Sequence, residues 1–533
     1  MSCRRISIED IVLLTKRLFN IDKLHDWQLK AIESILTGKD TLVITPTGSG
    51  KSIVYQIPSC FLDGLSIVIS PLVSLIRDQI FSLKNKIPSA YISASQSPAE
   101  RKKIIKNIQN YKLLYVTPER LESREFKNLF SNRKIKISIV VVDEAHCVSL
   151  WGNSFRPSYL RIRNFLKDLP EVNIAAFTAS ASPEVQNDII KLLGMDNPAI
   201  FRQNFIRENL FISIKYVVDK FQYLLNNLNN NVPAIIYVSS KFVCNSLGYM
   251  LKHNGFSAGV YHADLKPEER ELTQERFFKN EISIMVATSA FGMGINKKDI
   301  RYIVHYHPPI EIEEYYQEIG RAGRDGKDAL CEMLVSFDDF KEINILFKEN
   351  FPEWHFVKEI ALKKEKTEFE IEKLKKWFVN LYQENLDRRN LGDLKKFYDK
   401  KKQIQYKKMM VVQKYITSSR CRKSFLQEYF GEPSAMCKSC DFCIYKENKP
   451  LLDEYKIKIL SIIKRMKRVS FDYLRKIGIG LSFTDITHPG FSELRGEPLP
   501  FFIDQIYSLK NMGLIEFEVK KSEVLLKSEK LFY

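Results

Sequence analysis

The chain has 533 residues, 45% of them hydrophobic and 27% charged, and a formal net charge of +18. That length and apolar content suit several folded domains and exclude a disordered chain, and no apolar run approaches the roughly 18 residues of a spanning helix. The N-terminal apolar stretch Ile11–Leu14 is too short for a signal peptide, so the expectation is a soluble intracellular protein, nuclear or cytoplasmic.

Residues 30–205 alternate short apolar runs with helical patterns. The first run, Thr41–Thr45, leads into Pro46-Thr47-Gly48-Ser49-Gly50-Lys51-Ser52. Glycines there let successive backbone N–H groups point into one anion-binding concavity, and the following helix adds its positive end. Lys51 would reach the β- and γ-phosphates, and the Ser52 hydroxyl would sit on Mg²⁺. Thr45 stands where such loops begin with glycine, and Gly-Lys-Ser alone is a weak match. Further strands are expected at Ser66–Ser70, Leu113–Thr117, Ile137–Val142 and Asn173–Thr178. The run Ile139–Val142 ends in Asp143-Glu144-Ala145-His146. An Asp-Glu pair is often a solvated turn, but at the end of a buried strand it reads as a nucleoside triphosphatase site. Asp143 would hold Mg²⁺ through water, and Glu144 would orient and deprotonate the attacking water.

Residues 206–340 repeat the scheme, with strands expected at Ala234–Ser239, Ala258–His262, Ser283–Thr288, Arg301–His305 and Ala329–Ser336. Such alternation predicts two α/β lobes with parallel sheets, only the first carrying a phosphate loop. Residues 341–420 are charged and read as helical; Leu391–Lys414 holds eight lysines and two aspartates. Residues 341–533 contain 39 Lys and Arg against 27 Asp and Glu, compared with 43 against 37 before them. This basic excess favours a polyanionic partner, although general lysine richness would also produce it. Cys421, Cys437, Cys440 and Cys443 include a C-x₂-C-x₂-C run. Four thiolates suit tetrahedral Zn²⁺, with an iron–sulfur cluster or disulfides as alternatives. Beyond them, helices near Tyr455–Met466, Phe471–Lys476 and Phe501–Met512 and a hairpin of Leu514–Val519 with Val524–Lys527 make a winged-helix-like pattern.

Taken in order, the motifs resemble the RecQ family of superfamily 2 DNA helicases. The resemblance rests on Gln28, the phosphate loop, Ser70–Gln79, Tyr115–Arg120, Asp143–Pro157, Phe177–Ala181, Ala287–Lys297, Gln317–Gly326 and the cysteines. It implies an α/β fold of two RecA-like lobes, residues 1–205 and 206–340, then a helical zinc-binding module over 341–450 and a winged-helix-like domain over 451–533. On this division no further helical DNA-binding domain is expected within these residues. The implied activity is 3′–5′ DNA unwinding and translocation on single strands driven by ATP, with Mg²⁺ and Zn²⁺, in DNA repair, recombination or replication. Gln28 would read adenine; Thr47, Gly48, Ser49, Gly50, Lys51, Ser52 and Asp143 would hold the nucleotide. Lys51, Asp143, Glu144, Gln317, Arg321 and Arg324 would be catalytic, the arginines reaching the triphosphate from the second lobe. Asp325 reads instead as a turn salt bridge. Trp151 and Phe155 would stack single-stranded bases, and Arg156 would link bound DNA to the nucleotide; buried staples are the blander reading of these aromatics. Leu150, Asn153 and Ser154 depart from the family's loop, which implies modest stimulation by DNA. An RNA helicase of the DEAH class, or a nucleic-acid-stimulated remodeller with a degenerate motor, remain as alternatives.

Overall fold

The computed structural model describes residues 6–363 apart from 47, 94, 122, 132–134, 152–156, 170–171, 204–206, 293–296 and 337; single residues 365, 367, 370 and 374; 391–447; 454–474 without 467 and 472; and 505–528 without 511, 513, 521 and 522. It divides into two compact units, the first comprising Met1–Phe205 with Val379–Glu384 and the second Ile206–Phe378 with Asn385–Tyr533.

The first unit is built on β1 (Thr41–Ile44), β2 (Leu65–Ile69), β3 (Ser89–Ile92), β4 (Leu113–Val116), β5 (Ile137–Val142), β6 (Ile174–Thr178) and β7 (Ala199–Arg202). They form one sheet in the order β3-β4-β2-β5-β6-β1-β7, with every pair parallel. Strands β1, β2, β4 and β6 are buried along their whole length, as their unbroken aliphatic sequences require when helices cover both faces. The core joins Val43, Val68, Tyr115, Val141 and Phe177 to the helices Asp26–Leu36 and Lys51–Phe61. Strands β3 and β7 were not expected. Both lie at sheet edges, and their mixed burial removes the apolar run that marks an inner strand.

The second unit has β8 (Leu210–Tyr216), β9 (Ala234–Tyr237), β10 (Ala258–Tyr261), β11 (Ile284–Ala287), β12 (Tyr302–His305) and β13 (Ala329–Val335), in the order β10-β11-β9-β12-β13-β8. All of these pairs are parallel. Edge strand β8 is the addition to the expected set. An antiparallel sheet, β14 (Val469–Ser470), β15 (Ile515–Lys520) and β16 (Glu523–Ser528), contains the anticipated hairpin as β15–β16. Helix Glu454–Met466 packs on it. Half of the expected Phe471–Lys476 helix and the start of the Phe501–Met512 helix lie outside the described residues, while Phe471, Tyr473 and Leu474 are helical. Among the described residues no helix is long and apolar enough to cross a membrane.

Between the second sheet and the hairpin runs the helix Leu391–Thr417, followed by Arg422–Tyr429 and Asp441–Glu447 around the cysteines. A buried ionic hub fixes this module to β8. Arg422, fully buried, donates to both Asp441 oxygens at 2.9 and 3.2 Å, to the Ser418 carbonyl at 3.0 Å and to the Tyr507 hydroxyl at 3.2 Å. Asp441 also accepts from Ile214 N–H at 3.0 Å, and Tyr507 donates to the Ile214 carbonyl at 2.7 Å. Burial alone would raise the Asp441 carboxyl; the Arg422 charge and the donors facing it hold it below the ordinary range. Arg422→Met orphans that carboxylate, and removing one partner of a buried pair costs about 3–5 kcal/mol. Urea unfolding followed by tyrosine fluorescence should show the second unit melting at clearly lower denaturant, with the first unit unchanged.

Candidate active site

Strands β5, β6 and β1 are neighbours, so the loops leaving their C-terminal ends meet at one rim of the sheet, where α/β folds bind ligands. The phosphate loop leaves β1. Gly48 and Gly50 adopt φ of +83° and +81°, the left-handed region that a side chain rarely tolerates, and a Cβ on Gly50 would lie 2.7 Å from the Gln28 amide nitrogen. Thr45, in the place of the usual first glycine, has a use: its hydroxyl accepts a hydrogen bond from Ser49 Oγ at 2.9 Å. The loop hands over to helix Lys51–Phe61, and Lys51 Nζ is buried there without a hydrogen-bond partner among the described residues. Gln28 donates to the carbonyls of Ser49 and Gly50 at 3.3 Å and accepts from His25 N–H at 2.9 Å, so its amide braces the loop. Thr47 lies outside the described residues.

Asp143 and Glu144 follow β5. Glu144 has φ of +49°, an uncommon strain for a non-glycine residue and one that clusters at functional sites. Its Oε2 is buried without a hydrogen bond among the described residues, 3.4 Å from His146 Nδ1. His146 Nδ1 lies 3.0 Å from Thr178 Oγ1, which itself donates to the Ser180 carbonyl at 3.0 Å. This chain joins the Asp143–His146 motif to the Phe177–Ala181 motif on β6. Burial, and next the neighbouring Glu144 carboxylate, push the Asp143 carboxyl up to about 7, with Lys51 opposing. Two crowded carboxylates beside an unpartnered ammonium fit a divalent cation bridging to a bound polyphosphate, because each is left short of counter-charge. Trp151 is half-buried; its backbone N–H donates to Ser149 Oγ at 3.0 Å, and that hydroxyl donates to Asp188 at 2.5 Å. Phe155 and Arg156 lie outside the described residues.

In the second unit, helix Ile312–Ile319 carries Gln317 and runs into Arg321 and Arg324. Arg321 is 5% exposed; its guanidinium donates to the Gly292 carbonyl, while its Nε has no hydrogen-bond partner among the described residues. Arg324 donates to the Gly320 carbonyl at 3.4 Å, and its guanidinium is pulled down to about 10 by burial and then by the charges of Arg321 and Arg207. Asp325 pairs with Arg301, a turn salt bridge as expected, though not with the adjacent Arg324. Two groups here were not singled out in the sequence, although Glu318 lies inside the Gln317–Gly326 motif. Arg207 donates to the carbonyls of Gly320, Ala322 and Gly323, and the buried Glu318 lies 2.9 Å from His305 Nε2.

The four cysteines converge. Their Sγ atoms all lie within 4.8 Å of one another, and all four are free thiols. Zn–S bonds of about 2.3 Å in a tetrahedron put sulfurs about 3.8 Å apart; Cys437 and Cys443 stand at 3.9 Å. Backbone N–H groups of Ser424 and Cys437 point at Cys421 Sγ, and that of Ser439 at Cys437 Sγ, donors that favour the thiolate form. Lys438, at φ of +56°, makes the tight turn between Cys437 and Cys440.

Residues 25–189 match the DEAD/DEAH box helicase family, 217–326 the helicase conserved C-terminal domain and 382–444 the RecQ zinc-binding family. The chain is 34% identical to the ATP-dependent DNA helicase RecQ of Bacillus subtilis, over 90% of this chain and 75% of that one. It is 32% identical to the Synechocystis protein of the same name, over 83% of this chain and 98% of that one. The fold resembles the helicase Lhr of Mycobacterium smegmatis bound to ssDNA and AMP-PNP: TM-score 0.50, 18% identity, 68% of this chain and 55% of that one. It also resembles the helicase MrfA bound to DNA, with TM-score 0.52, 19% identity, and 65% and 53% of the two chains covered. Two parallel-sheet lobes, a phosphate loop beside an Asp-Glu pair, a four-cysteine zinc-binding module and relatives matched over most of their length lead to one conclusion: the chain belongs to the RecQ family of ATP-dependent helicases.

Proposed function

We propose that the protein couples ATP hydrolysis to 3′–5′ translocation on single-stranded DNA and to duplex unwinding, in DNA repair, recombination or replication. The observation that carries this is the rim of the first sheet, where an unpartnered buried Lys51 ammonium and an unpartnered buried Glu144 oxygen accompany Asp143. Support for DNA as the track comes from the relatives named as DNA helicases and from the basic excess of residues 341–533. Residues 1–205 act as the ATP-binding lobe, 206–340 as the second lobe, 341–450 as the zinc module and 451–533 as a winged-helix-like DNA-binding domain.

In this reading Thr47–Ser52 cradle the phosphates, Gln28 reads the adenine, and Glu144 takes the proton of the attacking water. Ser52 and Asp143 would hold Mg²⁺, which supplies charge neutralisation to the phosphates. Gln317, Arg321 and Arg324 serve the transferring phosphoryl group, where positioned positive charge does most of the catalytic work. ATP turnover measured with and without single-stranded DNA tests this reading. Stimulation, even if modest, supports it; turnover indifferent to DNA contradicts it.

The loop after His146 carries the coupling. Base–aromatic stacking is worth roughly 1–3 kcal/mol, and the Trp151 backbone is joined through Ser149 to Asp188 and by the chain itself to Glu144. Phe155→Ala and Arg156→Ala should keep basal turnover and lose most of the stimulation by DNA. Equal loss of basal and stimulated rates, with a lowered Tm, would mark the loop as a structural staple.

A further inference from the structure

The lysine-rich helix Leu391–Thr417 exposes most of its lysines but buries Lys408 to 2% exposure. The Lys408 ammonium lies 2.8 Å from Glu311 and 3.4 Å from Glu313, both also buried. Gln405 donates to the second Glu311 oxygen at 2.6 Å, and Tyr429, in the helix that follows Cys421, donates to Glu313 at 2.8 Å. Ring contacts widen the junction: Tyr316 with Phe430 at 4.9 Å and Tyr315 with Tyr415 at 5.5 Å. Glu311 and Glu313 are the cap and first turn of helix Ile312–Ile319, which carries Gln317 and leads to Arg321 and Arg324.

The far end of that segment is gripped as well. The Arg207 guanidinium donates to the carbonyls of Gly320 and Ala322 at 2.7 Å and of Gly323 at 3.0 Å, the backbone on both sides of Arg321 and just before Arg324. Lys423, from the cysteine module, in turn holds the Arg207 and Glu208 carbonyls at 3.4 and 3.1 Å and Ser439 Oγ at 2.9 Å. Plain adhesion does not need such groups. The Arg422 hub already fixes the module to β8, and apolar residues of similar volume are often at least as stabilising as a buried ion pair. What directed donors add is a defined backbone geometry, and charge-assisted forks are the strongest of them. That matters for arginines that must meet a transition state, where a displacement of about 1 Å can lower the rate about 10²-fold.

We propose that Arg207, Lys408 and Tyr429 are positioning residues for ATP hydrolysis: the zinc module and its leading helix splint both ends of the segment bearing Gln317, Arg321 and Arg324. The inference rests on the reading of those arginines as acting on the triphosphate. It gives the lysine-rich helix a part in turnover in addition to any attraction for polyanions.

The test uses the full chain and three variants. Arg207→Lys keeps the charge but loses the fork. Lys408→Met combined with Glu311→Gln and Glu313→Gln leaves no orphaned charge. Tyr429→Phe removes one hydrogen bond. Each is assayed for bound zinc, Tm, kcat and KM for ATP with saturating single-stranded DNA, and affinity for ADP and for ADP–aluminium fluoride. The first two should keep zinc and ADP affinity while kcat and transition-state-analogue affinity both fall about tenfold, the signature of an interaction made only in the transition state. Tyr429→Phe should fall less, and Lys408→Arg alone should stay near the parent. Zinc-loaded, folded Arg207→Lys and triple variants with kcat within about twofold of the parent would overturn the splint. So would a parallel loss of ADP and analogue affinity, which marks general loosening. Arg324→Ala is the control: if its turnover is undiminished, the reading of the arginines fails and the splint fails with it. If Arg324→Ala is inactive while the splint variants are not, only the splint fails.

Discussion

Glu144→Gln binds ATP and fails to hydrolyse it. The amide keeps the shape of a side chain already held in a left-handed backbone position, but it has no basicity. Positioned general bases contribute about 10²–10⁴-fold to rate, so kcat should fall by at least about two orders of magnitude with KM for ATP little changed. Fold should be intact, because among the described residues Glu144 Oε2 makes no hydrogen bond that the substitution breaks. Lys51→Ala gives the complementary loss. Its ammonium has no hydrogen-bond partner within the described protein, so removal leaves the core of β1, β5 and β6 untouched and weakens nucleotide binding directly. Calorimetric titration with a non-hydrolysable ATP analogue separates the two. Tight binding by Glu144→Gln and weak binding by Lys51→Ala is the expected pair. Normal turnover in Glu144→Gln would refute the assignment of the base.

Cys440→Ser releases the metal and unfastens the module. Structural zinc supplies about 10–16 kcal/mol of apparent folding free energy in zinc-finger peptides, so a lost thiolate ligand is not a local event. Cys440 also bridges to Ile212 on β8, and Asp441 beside it belongs to the Arg422 hub. The damage should therefore extend to the β8 edge of the second sheet, further than the cysteine spacing alone suggests. The first unit has its own core and should melt as before. Elemental analysis should give one zinc per parent chain and none in the variant. Iron in the parent, or no metal in protein prepared without chelator, would contradict the site.

The inner strands were readable because both of their faces are buried. Ile139–Val142 and Thr41–Ile44 are apolar without interruption, and nothing but a covered parallel strand fits such runs. Edge strands β3 and β7 half face solvent and mix apolar with polar residues, so composition hides them; β8 is mostly buried, but Ser213 and Lys215 break its apolar run. The phosphate loop and the cysteine cluster were legible because their chemistry is local, with ligands a few residues apart. Arg207, Lys408 and Glu318 were not. Their partners lie 113–116, 97 and 13 residues away, and no period or spacing marks a lysine as the buried one among many exposed. Thr45 shows the reverse: a departure from pattern in the sequence becomes a working hydrogen-bond acceptor in the folded loop.

The central claim is tested most directly by strand displacement on matched duplexes carrying a 3′ tail, a 5′ tail, a fork or blunt ends, made in DNA and in RNA, with ATP and with a non-hydrolysable analogue. ATP-dependent unwinding of 3′-tailed and forked DNA, with 5′-tailed, blunt and RNA duplexes left paired, is the result the account predicts. Preferential unwinding of RNA or of 5′-tailed DNA, or equal displacement with the non-hydrolysable analogue, would contradict it.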